Sequence, residues 1–244
     1  MWFTVFWGFI ATFLASAITG LTGFGFALVL VPALTLILAP REVVPIIYML
    51  GTISTILVVI ETHKSIELSR IWPLIVSGVI CAPLGTYLLV ILDAGLLKIA
   101  IGGLCVLTAL ALLANLHLSI RNERVAGVPV GLASGLLGGS TGLAGPPVIL
   151  FFSNQGKNKQ TFRANLTIYY TILGFFMLAS QFFGGLITRD ILMYCAWLVP
   201  ALLLGTLLGM RMARKVSESH FRRLALIVVL LSGFSAIASG LGWI

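Results

Sequence analysis

Long runs without a charged side chain dominate this chain of 244 residues. The first 40 residues contain none, and a second uncharged run extends from Val125 to Gly156. Hydrophobic residues make up 59% of the chain and charged residues only 9%, whereas ordinary soluble domains carry roughly 25% charged residues. Since a helix needs ~20 apolar residues to cross a bilayer, the sequence predicts an all-α polytopic membrane protein.

Charged clusters divide the chain into eight apolar segments. These run approximately over 1–40, 43–60, 71–92, 95–115, 125–153, 164–186, 191–210 and 224–244. Most have the length of a single crossing. The first and the fifth are too long for one simple crossing.

Each of these two long segments contains a glycine cluster. The first cluster, 19–26, reads TGLTGFGF, and the second, 138–147, reads GGSTGLAGPP. Aligning Gly20 with Gly139 gives an offset of 119 residues. Glycine and proline interrupt helices, and inside a bilayer broken helix is tolerated only where the freed backbone groups are buried in protein or line a wet cavity. Two breaks at matching positions therefore indicate a site.

The distribution of lysine and arginine indicates how the broken segments enter the membrane. If every segment crossed once, the two sides would carry 10 and 5 of these residues. If both broken segments were hairpins that return to the same side, the split would be 12 and 3. The positive-inside rule favours the larger asymmetry and therefore hairpins. The distribution of charged residues tests only the second hairpin, because no charged residue precedes the first.

The repeat extends beyond the glycine clusters. Leu84-Gly85-Thr86 recurs as Leu204-Gly205-Thr206 at an offset of 120. We therefore predict two membrane repeats, 1–120 and 121–244, each with a broken, re-entrant helical hairpin followed by three transmembrane helices. Such a repeat crosses the bilayer an odd number of times, so the second would be inverted. Inverted repeats with broken helices are a recurring plan of secondary transporters; a scaffold packed through small residues is the alternative.

The two motifs resemble the paired motifs of the sulfite exporter TauE/SafE family. The matching residues are 20–26 with Pro32, and 135–147, and the duplicated plan extends the resemblance over the whole chain. The resemblance implies a multi-pass protein of the bacterial inner membrane that transports sulfur-containing anions such as sulfite, sulfoacetate or another organosulfonate.

The breaks themselves supply candidate ligands for an anion. A half-helix N-terminus offers free N–H groups and about half a positive charge, glycine lets the backbone approach, and hydroxyls donate further hydrogen bonds. The substrate-binding candidates from the breaks are Thr22, Gly23, Gly25, Ser140, Thr141, Gly142 and Gly145. Each hydroxyl could instead bond back to its own helix.

Three polar residues after the second break complete the candidate site. An amide at bilayer depth is costly unless it is paired, which makes Asn165 and Gln181 candidates for substrate contact; Gln181 could instead join two helices. Arg163 could attract anions or act only as a topology charge.

Other functions are less compatible with the sequence. The three histidines and three cysteines are too dispersed for a metal site, and no cofactor, catalytic residue or nucleic-acid partner is predicted. No carboxylate is clearly embedded, so we expect uncoupled movement along the membrane potential, which exports anions. The alternatives are an anion channel and a carrier for another small solute. Gly102-Gly103 could pack within one subunit or between subunits of a homo-oligomer.

Overall fold

The computed structural model describes residues 2–114, 122–153, 155, 158–213, 234, 237, 238, 240 and 241. This part of the chain is helical and contains no strand. Its α-helices are α1 (Trp2–Thr22), α2 (Phe26–Thr35), α3 (Pro40–Thr62), α4 (Leu68–Ile91), α5 (Ala94–Leu113), α6 (Glu123–Thr141), α7 (Gly145–Ser153), α8 (Lys159–Phe183) and α9 (Arg189–Ala213). A short 3-10 helix, His63–Ser65, follows α3.

Six of these helices, α1, α3, α4, α5, α8 and α9, are long and apolar enough to cross a membrane. The chain is therefore a multi-pass membrane protein, as predicted. Helix α6 has 19 residues and is not among these six, while α2 and α7 have only 10 and 9 residues. Most of the segment predicted at 224–244 lies outside the described residues.

Both predicted breaks occur, and they occur at matching residues. Helix α1 ends at Thr22 and α2 begins at Phe26, while α6 ends at Thr141 and α7 begins at Gly145. Thr22 and Thr141, and likewise Phe26 and Gly145, are 119 residues apart. Positive φ angles explain the glycines: 84° at Gly23, 98° at Gly25 and 78° at Gly142, a region that side chains with a Cβ rarely adopt. The helices end where the backbone turns left-handed.

The chain reverses direction after the first break. The Trp7 indole N–H donates to the Ala33 carbonyl over 2.9 Å, so the end of α2 lies beside the beginning of α1. Tyr194, near the start of α9, donates to the Thr4 carbonyl. The beginnings of α1 and α9 and the end of α2 therefore share one end of the helix bundle.

Contacts between helix termini define the other end. Arg70 of α4 lies 3.7 Å from Glu123 of α6, and Glu61 of α3 lies 3.2 Å from Arg163 of α8. We call this the basic end, because its described helix termini carry more lysine and arginine than those of the far end. The basic end holds Lys64, Arg70, Arg124, Lys159, Arg163 and Arg211, and the far end holds Arg41, Lys98 and Arg189.

Small residues allow two helix pairs to pack very closely. On α6 every fourth residue is glycine: Gly127, Gly131, Gly135 and Gly139. This stripe packs on α4, where a Cβ added to Gly139 would lie 2.6 Å from the Gly85 carbonyl carbon. The equivalent positions on α1 are Gly8, Thr12, Ser16 and Gly20, and Gly8, Ser16 and Gly20 lie against α9. Close packing of this kind holds membrane helices together where lipid removes the usual hydrophobic drive.

Helices α3 and α8 pack against each other through the centre of the bundle. The Thr171 hydroxyl donates to Thr55 over 2.9 Å, while Glu61 near the end of α3 meets Arg163 near the start of α8. The two helices therefore run antiparallel. Helix α3 is the third α-helix of the first proposed repeat, and α8 is the third α-helix of the second.

Candidate functional site

The two breaks lie at one cavity in the centre of the bundle. Its volume is about 70 Å³. It is lined by residues from α1 to α3, α7, α8 and both breaks: Thr19, 23–28, Ile47, Tyr48, Gly51, Thr52, Thr55, 142–145, Ile149, Tyr170 and Leu173. None of these described lining residues carries a charged side chain.

Two helices begin at the cavity wall. Residues 26–28 form the first turn of α2 and line the cavity. The N–H groups of a first turn have no partner inside their own helix, and the residue before this turn, Gly25, provides no side-chain cap. Helix α7 also begins at the cavity, at Gly145. Two partial positive charges therefore face the same small space.

Three hydroxyl groups at the cavity have no hydrogen-bond partner among the described residues. They belong to Tyr48, Thr52 and Tyr170, and each oxygen is fully buried. Tyr48 and Thr52 are only 7% and 5% exposed as whole residues. Leaving a buried polar group unpaired costs about 1–3 kcal/mol. Three residues of the cavity wall therefore carry hydroxyls that the described residues leave unpaired.

The predicted glycines line this cavity, whereas the predicted hydroxyls do not. Gly23, Gly25, Gly142 and Gly145 are all part of the wall. Their positions bring the two motifs together although 119 residues separate them in the chain.

The three hydroxyls of the motifs stabilise the helix ends. Thr22 donates to the carbonyls of Ile18 and Phe24, and Thr141 donates to Leu137. Each threonine also accepts the backbone N–H two residues later, over 3.2 Å in both breaks. Ser140 donates to the Leu136 carbonyl over 2.8 Å. These are local side-chain-to-backbone bonds, so the hydroxyls act on the shape of the breaks.

Arg163 lies beside the cavity and does not line it. Its backbone and side-chain stem pack against Gly23, where a Cβ would lie 3.0 Å from the Arg163 Cα. Its guanidinium donates to the Gly20 carbonyl over 2.6 Å and to Glu61 over 3.2 Å. The ion-paired side chains are only 6% and 13% exposed. Arg163 thereby joins the end of α1 to α3 and α8.

Asn165 and Gln181 also lie outside the cavity wall. The Asn165 side-chain oxygen accepts the Glu67 N–H over 2.9 Å, which connects α8 to the residue before α4. Gln181 is fully buried, and neither atom of its amide has a partner among the described residues. Neither amide therefore lines the cavity, and of the two only Asn165 has a partner among the described residues.

Sequence reasoning missed Tyr48 and Thr52 on α3. They are four residues apart and so face the same side of a helix, and Thr55 follows one turn later. A polar stripe inside an apolar segment was the available signal. It was weak because hydroxyls at such positions often bond to their own helix, as Thr55 does to the Thr52 carbonyl.

Metal chemistry has no evident place in the described part of the chain. It contains no group of three or more His, Cys, Asp or Glu side chains that could hold a metal ion. The cavity offers backbone amides, hydroxyls and apolar surface, and these groups are suited to binding a small solute.

The comparisons with known proteins agree with the resemblance of the motifs. A family model described as "Sulfite exporter TauE/SafE" matches residues 8–236. This match includes both breaks and every residue that lines the cavity. Comparisons with curated proteins and with solved structures gave no significant match. On the family match, which covers most of its length, the chain belongs to the sulfite exporter TauE/SafE family of membrane transporters.

Proposed function

We propose that the protein is a secondary transporter that carries sulfur-containing anions through the central cavity. The observation that supports this most is the meeting of two helix N-termini and three unpartnered hydroxyls at one cavity. Free N–H groups and partial positive charge suit an anion. The three oxygens of a sulfite or sulfonate group could accept hydrogen bonds from several directions. Candidate substrates are sulfite, sulfoacetate and other organosulfonates.

The proposed fold is a pair of inverted repeats, 1–120 and 121–244. Three features of the packing support it. Matched helices α3 and α8 run antiparallel. Helix α1 packs on α9, and its counterpart α6 packs on α4, the counterpart of α9. Both breaks reach the same cavity. A pseudo-two-fold axis in the membrane plane would relate the repeats, with the substrate site on that axis.

The proposed binding residues differ from the list that the motifs alone suggested. We assign direct contact to the backbone at Gly23, Gly25, Gly142 and Gly145, and to the hydroxyls of Tyr48, Thr52 and Tyr170. Thr22, Ser140 and Thr141 would position the breaks through their backbone bonds. Arg163 would position the first break through Gly20 and Gly23, and Asn165 would position α4. For Gln181 we propose contact with the substrate in another conformation of the transporter.

The basic end is assigned to the cytoplasm of a bacterial inner membrane by the positive-inside rule. A negative cell interior then drives an anion outward, with about 2.3 kcal/mol per charge for each 100 mV. None of the described residues that line the cavity is charged, which favours movement that needs no coupled proton or cation. We therefore propose export.

Transport of labelled sulfite or sulfonate by purified protein in liposomes would test this function. We expect flux toward the positive side under an imposed potential without an ion gradient. Thr52→Val should reduce the flux, whereas Thr108→Val on α5 provides a matched control, since its hydroxyl bonds to Leu104 and lies outside the cavity. A requirement for a proton or sodium gradient would contradict uncoupled export.

An anion channel is the second candidate, because half-helices and backbone groups also form selectivity filters. The alternative carrier, for another small solute, would use the same cavity. Flux that saturates with substrate at a slow turnover would support a carrier. Flux at ion-channel rates would replace the carrier proposal with the channel.

A further inference from the structure

A largely buried ion pair lies on the basic side of the first break. The Arg163 guanidinium on α8 donates from Nη2 to the Glu61 carboxylate on α3 over 3.2 Å. The stem of Arg163 packs on Gly23, where a built Cβ would lie 3.2 Å from the Arg163 Cγ. Gly23 in turn lines the cavity. The Arg163 side chain therefore packs directly behind a residue of the cavity wall.

The second break has the same packing without the charge. Gly142 matches Gly23, and a Cβ built on Gly142 would lie 3.7 Å from the Val44 Cγ2. Val44 precedes Arg163 by the same 119 residues that separate the two glycines. A valine on α3 therefore packs against the second break where an arginine on α8 packs against the first.

The shape of a break does not require an ion pair. The residue that matches Glu61 in the second repeat is Ser180, so neither charge has a counterpart there. Burying two charges removes both from water, and well-packed apolar residues of similar volume often stabilise a protein equally well or better. Val44 is an example of such an apolar residue. The ion pair of Arg163 and Glu61 therefore indicates a role beyond packing.

One edge of the Arg163 guanidinium is only half used. The planar group carries five N–H donors in a fixed fork, and Nε and Nη2 form one edge of it. Nη2 donates to Glu61 and to the Gly20 carbonyl, whereas the buried Nε has no partner among the described residues. Two oxygens of one anion can bind such an edge together. A sulfite or sulfonate group, with three oxygens, can therefore satisfy both nitrogens.

Glu61 lies where its carboxylate can exchange Arg163 for water. It is the penultimate residue of α3 and is followed closely by the 3-10 helix His63–Ser65. Both His63 and Lys64 are exposed. Rotation of the Glu61 side chain toward these residues would carry the carboxylate to the surface of the basic end. The same rotation would uncover the arginine from the basic end, so a ligand would not need to reach it from the cavity.

We propose that Arg163 binds the transported anion on the basic side of the cavity and that Glu61 is the internal anion that occupies this site in its absence. This rests on the proposed function and names a further binding residue for it. The incoming sulfite or sulfonate accepts hydrogen bonds from Nε and Nη2, and the Glu61 carboxylate moves into water. Arg163 keeps an anionic partner before and after the exchange, which avoids the cost of an unpaired buried charge. Glu61 and the substrate therefore compete for one cation.

The anion affinity of Glu61→Gln tests this competition. Binding of methanesulfonate, which carries a single negative charge, would be measured by titration calorimetry on purified protein in detergent at constant ionic strength. Without a competing carboxylate on Arg163, the affinity should rise about tenfold to hundredfold. Glu67→Gln is the control, because it removes a negative charge at the same end from a pair with half-exposed Arg70, and it should change the affinity less than about threefold. An affinity of Glu61→Gln equal to or below that of the wild-type protein would overturn the competition.

A second variant gives the first break the residues of the second. Arg163→Val combined with Glu61→Ser reproduces Val44 and Ser180, so this double variant should fold. It should bind methanesulfonate at least about tenfold more weakly than the wild-type protein, because a charged hydrogen-bond donor is lost. Wild-type affinity in the double variant would overturn the role of Arg163, and this test does not depend on the folding of Glu61→Gln.

The outcomes separate this inference from the proposed function. If the wild-type protein neither binds methanesulfonate nor moves methanesulfonate or sulfite across liposomes, the proposed function fails and the inference fails with it. If the wild-type protein binds and moves these anions but the variants do not change affinity in the stated directions, only the exchange at Arg163 fails.

Discussion

The glycine stripe of α6 makes a sharp prediction, because its members differ in the space available to them. A Cβ at Gly139 would lie 2.6 Å from the Gly85 carbonyl carbon and from the Thr86 nitrogen. Carbon atoms pack best at about 3.5–4.0 Å, so Gly139→Ala requires α4 and α6 to separate by about 1 Å. Both obstructing atoms belong to the backbone, which cannot rotate away as a side chain could.

Gly127→Ala is the matched control on the same helix. The nearest atom to its added Cβ is the Leu74 nitrogen at 3.5 Å, an ordinary contact distance. Both substitutions gain the same helix propensity, about 1 kcal/mol. Overpacking costs about 1–3 kcal/mol and applies only at Gly139. The free energies of unfolding of the two variants should therefore differ by about 1–3 kcal/mol, with Gly127→Ala the more stable.

Reversible unfolding in mixed detergent micelles, followed by circular dichroism, would measure this difference. Thermal denaturation in one mild detergent would give an independent ranking of the two variants and the wild-type protein. Equal stability of both variants would refute the close packing of α4 on α6. Greater stability of Gly139→Ala would do the same.

Two further predictions concern the ion pair and the cavity. Glu61→Gln leaves the buried Arg163 without its carboxylate and should destabilise the protein by about 3 kcal/mol. Glu67→Gln is the control: it affects a pair with half-exposed Arg70 and should cost at most about 1 kcal/mol. Equal losses in thermal stability would contradict the burial of the first pair. Tyr48→Phe removes an unpartnered buried hydroxyl, so it should preserve or raise thermal stability while weakening anion binding. A Tyr48→Phe variant that loses stability without losing binding would show that this hydroxyl has only a structural role.

The sequence was most informative about the elements that the bilayer constrains. Apolar length located the long helices, and the glycine clusters located both breaks, because positive φ angles at Gly23, Gly25 and Gly142 leave a recognisable residue type. Charge asymmetry indicated the ends of the bundle. These features depend on local backbone chemistry and on distance from water. Both leave a direct pattern of residue types in a single sequence.

The choice of side chains at the site was harder to predict. Thr22 and Thr141 lie in the motifs, yet their hydroxyls bond to nearby backbone atoms. Tyr48 and Thr52 lie outside the motifs and reach the cavity because α3 crosses beside both breaks. Whether a hydroxyl faces its own helix or a cavity depends on the rotation and packing of neighbouring helices. The apolar pattern of a helix that is buried on most sides does not specify this rotation.

Arg163 illustrates the same limit for a charged residue. Its position near a predicted membrane edge suggested an attractor for anions or a topology charge. The structure pairs it with Glu61, which is 102 residues away, and with the Gly20 carbonyl. Contacts over such distances arise from the arrangement of the repeats. Without that arrangement, the sequence predicts where each charged residue lies relative to the membrane but does not predict its ion-pair partner.

The most direct test of the central claim is electrogenic flux of a labelled sulfonate in liposomes that contain only the purified protein. Wild-type protein should move the anion toward the positive side with saturation, and Thr52→Val should slow this movement while Thr108→Val leaves it unchanged. Failure of folded wild-type protein to move sulfite, sulfate or any tested sulfonate would contradict an anion carrier built around the two glycine breaks.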